Sequence, residues 1–336
     1  MIKRNLTVLF SVMGLAFLIL DTKTAITGMI EGMEICWQTL LPSLFPFILL
    51  STLLTASILG KRIPFLRVFG RLLGMPKGTE SIFIVGFLGG YPVGAQCITQ
   101  AYQNGHISRE NAERMLCFCS NAGPAFLFGL GTRLFPSVWY CWVVWLIHII
   151  SAMAVGFLTP TVPETADCIS ESKILSLPNA LHSSIRTMSQ ICGWVVLFRV
   201  ILSFCQCWFL WMLPQYWQLG FSGLLEIANG CCALSQVTQI EVRVVLFSFF
   251  LGFGGLCVAM QTKTVCEELS IQGYLCGKIL QAILSLLLSL SVISREMRFS
   301  SIVILTFICS AYYFIRRRIQ KSVAFSHESV YNVENR

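Results

Sequence analysis

The chain of 336 residues is 55% hydrophobic and only 12% charged, and its mean hydropathy is +0.73. Because soluble domains contain about 25% charged residues, this composition excludes an ordinary soluble protein and indicates a helical membrane protein with several spans. The net charge of +8 comes mainly from short loops between apolar segments, a pattern that reports membrane orientation and argues against nucleic-acid binding.

The first elements lead into the membrane. Two basic residues precede the apolar run 6–20, and no small-x-small cleavage site follows it, so residues 1–23 are predicted to form a retained membrane helix with a cytoplasmic N-terminus. Pro42 and Pro46 bracket the start of the next apolar segment, which predicts a kinked helix or one arm of a hairpin. The loop 60–78 has five basic and no acidic residues, which places it in the cytoplasm.

Two apolar segments between residues 81 and 128 carry helix-breaking clusters in their middle. The clusters consist of Gly89, Gly90, Pro92 and Gly94 in the first segment and Gly123 and Pro124 in the second. Proline lacks a backbone donor and glycine adopts non-helical conformations easily, so both clusters leave backbone groups unpaired at membrane depth. Such backbone is tolerated only where protein covers it or where it lines a wet cavity, as in the substrate sites of transporters.

The order of elements repeats in the second half of the chain. After an unbroken helix, a segment with Gly230 and a segment with Gly254 and Gly255 match the two broken segments, and a second unbroken helix follows. This order predicts an all-α polytopic membrane protein of two related halves, each with spanning helices and broken or re-entrant segments. The predicted parts after residue 23 are a first half at 24–160, an extracytoplasmic linker at 161–178, a second half at 179–293, a C-terminal membrane helix with a basic end at 294–321, and a cytoplasmic tail at 322–336.

Polar side chains near the breaks form the predicted binding site. They are Tyr91, Gln96, Ser120, Asn121, Asn229 and Gln261. Opened helix ends direct N–H dipoles at anions and carbonyls at cations, so we expect a small polar solute and a coupling ion, Na⁺ or H⁺, at this place. The amide side chains suit a ligand that has both donors and acceptors.

Glu226 is the most specific candidate, because it lies between apolar residues three positions before Asn229 and on the same helical face. A carboxylate at membrane depth is costly, which makes ion or proton coupling the default hypothesis. The alternatives are that the segment begins near the interface, or that Glu226 only pairs with Arg199. Lys278 falls near a helix end and is expected to snorkel, whereas His148 is expected to bond a neighbouring carbonyl.

Enzyme chemistry is not expected, because the sequence has neither a nucleophile motif nor a phosphate-binding glycine loop. The fifteen cysteines lie mostly in apolar segments and include no CxxC pair, so we expect neither a metal nor another bound cofactor. The expected partners are the lipid bilayer and a small-molecule solute, and a homo-oligomer is compatible with the sequence.

Five stretches of the chain resemble one protein family. They are residues 40–54, 86–96, 111–129, 223–230 and 252–261. These stretches are similar to the sporulation integral membrane proteins of the YlbJ type, which carry the nucleoside-recognition or Gate domain and are related to concentrative nucleoside transporters. The resemblance runs from about residue 35 to residue 293, so it implies a Gate-like repeat in each half.

The resemblance implies a multi-pass protein of the cell membrane, or of the outer forespore membrane during sporulation, with both termini in the cytoplasm. It implies transport of a small polar heterocyclic solute, dipicolinate-like or nucleoside-like, with Gln96, Asn121, Glu226 and Asn229 at the substrate or ion site. Gln96 stands where relatives are expected to carry a lysine, and a lysine there would suit an anionic solute. The alternative function is a non-transporting membrane scaffold of spore envelope assembly.

Overall fold

The computed structural model describes residues 2–58, 65–162 and 175–293. The predicted C-terminal helix and tail, part of the basic loop and most of the linker lie outside these residues. The α-helices of the described chain are α1 (Ile2–Leu20), α2 (Thr22–Ile35), α3 (Leu41–Ile58), α4 (Leu66–Leu72), α5 (Glu80–Gly89), α6 (Val93–Gln103), α7 (Arg109–Cys119), α8 (Pro124–Leu134), α9 (Val138–Leu158), α10 (Leu177–Trp208), α11 (Gln215–Leu225), α12 (Ile227–Ala233), α13 (Ile240–Phe253), α14 (Gly255–Val265) and α15 (Gln272–Ile293).

The described residues contain no β-strand, and six helical segments are long and apolar enough to cross a bilayer. These segments are Thr22–Leu54, Arg109–Leu134, Val138–Leu158, Leu177–Trp208, Ile240–Val265 and Gln272–Ile293. Many large apolar side chains lie on the outside of the described fold, as expected where lipid replaces water. The prediction of an all-α polytopic membrane protein is confirmed.

The first long segment crosses as one helix with a local widening. A π-helical turn, Cys36–Leu40, joins α2 to α3, and Pro46 lies inside α3. Pro42 has no N–H to bond the carbonyl of Gln38 four residues before it, and the Arg133 guanidinium donates to that carbonyl at 3.4 Å instead. The two prolines are therefore accommodated within a continuous helix.

Two of the broken segments are re-entrant hairpins. In hairpin 1, which consists of α5 and α6, a Cβ on Gly94 would lie 3.0 Å from the Cα of Gly86. A straight helix would separate residues eight positions apart by about 12 Å, so the chain folds back at its break. Hairpin 2, which consists of α11 and α12, folds back in the same way, and the side chains of Gln215 and Gln236 meet at its base with a 3.4 Å hydrogen bond.

The other two broken segments continue across the protein. The pair α7–α8 is interrupted by extended backbone from Ser120 to Gly123, and the pair α13–α14 is interrupted at Gly254, where φ is +83°. The unbroken helix α9 returns from the end of α8 to the start of α7, where Arg114 donates to the Pro160 carbonyl at 2.6 Å. The pair α7–α8 therefore spans the same depth as α9.

The two hairpins open on opposite faces of the protein. The first face is marked by Arg114, which donates to the carbonyls of both Gly74 and Pro160 and lies beside the base of hairpin 1. The second face is marked by Arg243, which donates to the Leu134 carbonyl at 2.8 Å and follows the base of hairpin 2. Hairpin 1 thus enters from the first face and hairpin 2 from the second.

One sidedness prediction is wrong. The basic loop 60–78 and the linker 161–178 were expected on opposite sides of the membrane, yet Gly74 and Pro160 are bound by the same guanidinium. The reason is that hairpin 1 returns to the face from which it entered, whereas the prediction counted it as a full span. The ends of the elements between hairpin 1 and hairpin 2 therefore lie on the opposite faces from those predicted. The start of the linker therefore lies on the same face as the loop.

Candidate functional site

The breaks of the hairpins and of the interrupted helices meet inside the protein. At the tip of hairpin 1, a Cβ on Gly123 would lie only 3.0 Å from the Cα of Gly90. At the tip of hairpin 2, a Cβ on Gly255 would lie 3.1 Å from the backbone nitrogen of Ile227. Only glycine permits backbone to approach backbone so closely, so these residues let each hairpin tip touch the break of an interrupted helix.

The break residues predicted from the sequence fall into two groups. Those at helix ends are Gly89, Gly90 and Pro92 in hairpin 1, Gly123 and Pro124 between α7 and α8, and Gly254 and Gly255 between α13 and α14. The prediction is wrong for Gly94 and Gly230, which lie inside α6 and α12. These two glycines let α6 and α12 cross α5 and α11 at close range.

A cavity of about 40 Å³ lies beside the two hairpin tips and the α7–α8 break, and residues of α14 complete its wall. Its polar side chains are Tyr91, Glu226 and Gln261, and the rest of its wall is mainly apolar. The Tyr91 hydroxyl donates to the Leu251 carbonyl at 3.5 Å and would lie 3.1 Å from a Cβ on Gly254, so it joins hairpin 1 to the α13–α14 break. One water needs about 10–15 Å³, so the cavity fits a few waters or an ion, and a heterocycle requires the hairpins to move apart.

Glu226 ends α11 with an extended backbone and caps the N-terminus of α12. Its carboxylate accepts hydrogen bonds from the N–H of Ala228 at 3.0 Å and from the N–H and side-chain amide of Asn229, both at 2.6 Å. The helix N-terminus stabilises a negative charge, which explains how a carboxylate with 1% exposure is accommodated. Arg199 bonds Glu31 at 2.8 Å rather than Glu226, so the alternative of a Glu226–Arg199 pair is wrong.

A buried polar cluster lies behind the α7–α8 break. The Asn121 side-chain oxygen accepts from the Lys278 ammonium at 3.1 Å and from the Gln281 amide at 3.0 Å. Lys278 also donates to the Gln281 oxygen at 2.7 Å. His148 accepts from the backbone N–H of Ala122 at 3.2 Å, so this histidine bonds a backbone amide where a carbonyl was expected.

The expectation that Lys278 snorkels to the surface is wrong, because its side chain is fully buried. It lies in the second turn of α15, and α7 packs over that turn. Gln281 and Ser285 follow at helical spacing, are also buried and share a face with Lys278. This polar stripe within an apolar helix is the signal by which the residue could have been found.

The remaining predicted residues do not join the cavity. Gln96 donates to the Thr187 hydroxyl on α10 at 3.1 Å. Ser120 is fully buried, and its hydroxyl has no hydrogen-bond partner among the described residues. Asn121 lies in the cluster behind the break, and Asn229 faces a different pocket. Of the predicted side chains, Tyr91, Glu226 and Gln261 line the cavity, and Asn229 is joined to them through its hydrogen bonds to Glu226.

Asn229 lines a larger polar pocket on the second face, which we call the vestibule. Its volume is about 460 Å³, and Glu31, Arg133, Arg199 and Gln206 also line it. Since Glu226 lines the cavity and bonds Asn229, this residue pair separates the cavity from the vestibule. On the first face, a cleft of about 420 Å³ is lined by residues that include Arg114, Cys276 and Gly277.

Comparison with characterised proteins shows a similarity to the sporulation integral membrane protein YlbJ of Bacillus subtilis (strain 168). The two sequences are 25% identical over 289 residues, which covers 72% of this chain and 70% of that protein. This similarity confirms the resemblance to proteins of the YlbJ type. No family model matches the chain, and no solved structure matches it.

Proposed function

We propose that the chain is a membrane transporter or permease that moves a small polar, planar heterocyclic solute during sporulation. The carrying observation is that two hairpins from opposite faces and two interrupted helices bring their breaks together around a cavity with a buried carboxylate. Open backbone at membrane depth is tolerated beside a cavity, and broken helices of this kind bind solutes in transporters. The role in sporulation is taken from the name of the similar protein.

The proposal includes an internal repeat with two Gate-like halves of opposite orientation. Each half has the same order of hairpin, interrupted helix and unbroken helix, which is the arrangement of an inverted repeat. The basic charge of the loop supports a cytoplasmic location for the first face. The proposal therefore puts both termini in the cytoplasm and the protein in the outer forespore membrane. The solute is dipicolinate-like or nucleoside-like, and Glu226 binds the coupling Na⁺ or H⁺.

The test uses two substitutions that keep the helix cap. Aspartate and asparagine cap helices about equally well, so Glu226→Asp and Glu226→Asn differ mainly in charge. Each variant is expressed in a deletion strain, its insertion is checked by immunoblot, and the dipicolinate content of the spores is measured. Coupling by the carboxylate predicts that Glu226→Asp retains more dipicolinate transport than Glu226→Asn.

If the solute is nucleoside-like, neither substitution would change the dipicolinate content of the spores. Uptake of uridine into proteoliposomes is therefore measured with the same two variants. If both variants restore dipicolinate equally and neither changes uridine uptake, coupling through Glu226 is refuted. If the intact chain transports neither compound while alterations in the loop 60–78 abolish spore formation, the scaffold function replaces the transport proposal.

A further inference from the structure

Lys278 is a buried cation without an anionic partner in the described chain. Its side chain has no exposure, and its hydrogen bonds go to the neutral amides of Asn121 and Gln281. The ion pairs within the described residues are Arg109–Glu113 and Arg199–Glu31, and neither includes Lys278. An uncompensated charge at such a position is costly, and in membrane proteins it commonly marks a solute or ion pathway.

The ammonium group lies one side chain away from the cavity. Its nitrogen is 5.3 Å from the ring centroid of Tyr91, which is itself part of the cavity wall. The side-chain hydrogen bond of Tyr91, to the Leu251 carbonyl, is long at 3.5 Å. Tyr91 therefore contacts both the Lys278 ammonium and the cavity.

The ammonium also has unused hydrogen-bonding capacity. A lysine carries three N–H donors, and two of them are directed at the side-chain oxygens of Asn121 and Gln281. Among the described residues the third donor has no oxygen acceptor, and the ring faces of Tyr91 and Tyr274 lie near the ammonium instead. A carboxylate is a stronger acceptor for such a donor than an aromatic face.

We propose that Lys278, held by Asn121 and Gln281, binds an anionic group of the transported solute when Tyr91 moves aside. The inference rests on the proposed transport function and adds that the transported solute carries an anionic group. Glu226 on another wall does not prevent this, because its charge is offset by three N–H donors at the start of α12. The cavity then has a cationic wall for the solute and an anionic wall for the coupling cation.

The experiment compares an anionic with a neutral probe of the same shape. Purified protein in detergent is unfolded by heat with pyridine-2,6-dicarboxylate or with its neutral diamide, because a ligand that binds the folded state raises the unfolding temperature. The dicarboxylate should stabilise the unaltered protein and the diamide should not. Lys278→Met should weaken dicarboxylate binding about 10- to 100-fold, the effect of losing one hydrogen bond to a charged group.

Lys263→Met is the matched control, since Lys263 donates only to loop carbonyls near the first face. It should keep the dicarboxylate effect. Gln281→Glu is the second variant, which does not remove the lysine: the new carboxylate would replace an amide that lies 2.7 Å from the ammonium. This internal anion should abolish dicarboxylate binding even if Lys278→Met fails to fold.

The inference is overturned if Gln281→Glu or a folded Lys278→Met binds the dicarboxylate as the unaltered protein does. Equal stabilisation of the unaltered protein by dicarboxylate and diamide also overturns the inference, but it leaves the proposal of a heterocyclic solute unchanged. If the unaltered protein binds neither probe but transports uridine, this inference fails and the transport function stands. If the unaltered protein binds neither probe and takes up neither uridine nor dipicolinate, both the inference and the transport function are refuted.

Discussion

The fold-back of hairpin 2 can be tested with two alanine substitutions in the same element. Gly230 lies where α12 crosses α11, and a Cβ there would be 2.1 Å from the Cα of Gly223. Gly220 lies in α11, and a Cβ there would meet nothing within 4 Å. Both substitutions replace a helical glycine by alanine, so the difference between them reports the crossing alone.

The magnitude follows from the contact distance. Carbon atoms pack at about 3.5–4.0 Å, so Gly230→Ala forces the two helices apart by roughly 1.5 Å at their crossing. Overpacking costs about 1–3 kcal/mol, and here the neighbour is backbone that cannot rotate away. Alanine in a helix gains about 0.5–1 kcal/mol over glycine. We expect Gly230→Ala to lower the free energy of unfolding by about 1–2 kcal/mol and Gly220→Ala to raise it by about 0.5–1 kcal/mol.

Thermal unfolding of the purified variants in detergent measures both effects. Gly230→Ala should unfold at a lower temperature than the unaltered protein, and Gly220→Ala at the same or a higher temperature. If Gly230→Ala is as stable as Gly220→Ala, then α12 does not fold back on α11. The geometry of hairpin 2, and with it the position of Glu226 at a midplane tip, would be refuted.

Two further predictions test the first face and the orientation of the fold. Arg114→Gln should lower the free energy of unfolding by at least about 3 kcal/mol, because it removes charged hydrogen bonds to several buried carbonyls. Arg109→Gln on the same helix breaks an exposed ion pair and should leave the unfolding temperature nearly unchanged; a loss of stability similar to that of Arg114→Gln would contradict the role of Arg114. Cys232 lines the vestibule and Cys276 the opposite cleft, and both are exposed. In single-cysteine variants expressed in the cell membrane of non-sporulating cells, an impermeant maleimide should label Cys232 on intact cells but Cys276 only after permeabilisation, and labelling of both on intact cells would refute the opposite faces.

The sequence was sufficient to locate three of the four helix breaks, because their cause is local; the break of hairpin 2 lies at Glu226 and not at Gly230. A proline such as Pro124 lacks an N–H wherever it stands, and a glycine such as Gly254 adopts positive φ without strain. Whether a broken segment crosses or returns is not local, since it depends on what packs against it. In hairpin 1, Gly86 and Gly94 permit the close helix crossing that shows the segment to return. Because the crossing could not be seen in the sequence, the linker was predicted on the wrong side.

The burial of Lys278 was missed for a related reason. Its distance from the end of α15 suggests access to the interface, but access is decided by the neighbouring helix α7. The sequence identifies Glu226 because a carboxylate between apolar residues is recognisable whatever the helix boundaries are. Its role as the N-cap of α12 could not be predicted, because it depends on the backbone conformation at the tip of hairpin 2. Composition thus identified one of the two buried charges near the cavity.

The positions of these two charges favour transport over a scaffold. A scaffold needs broken helices only to shape a surface, and apolar side chains would fill its interior at lower cost than Glu226 and Lys278, each of which is nearly or fully buried. Glu226 lies at a helix N-terminus, where a negative charge is stabilised without a cationic side chain. Lys278 is surrounded by amide oxygens and aromatic faces that stabilise a cation without a carboxylate. Since the two groups are solvated separately and do not pair in the described chain, each stays available to a ligand, as a site that binds an ion and an oppositely charged solute requires.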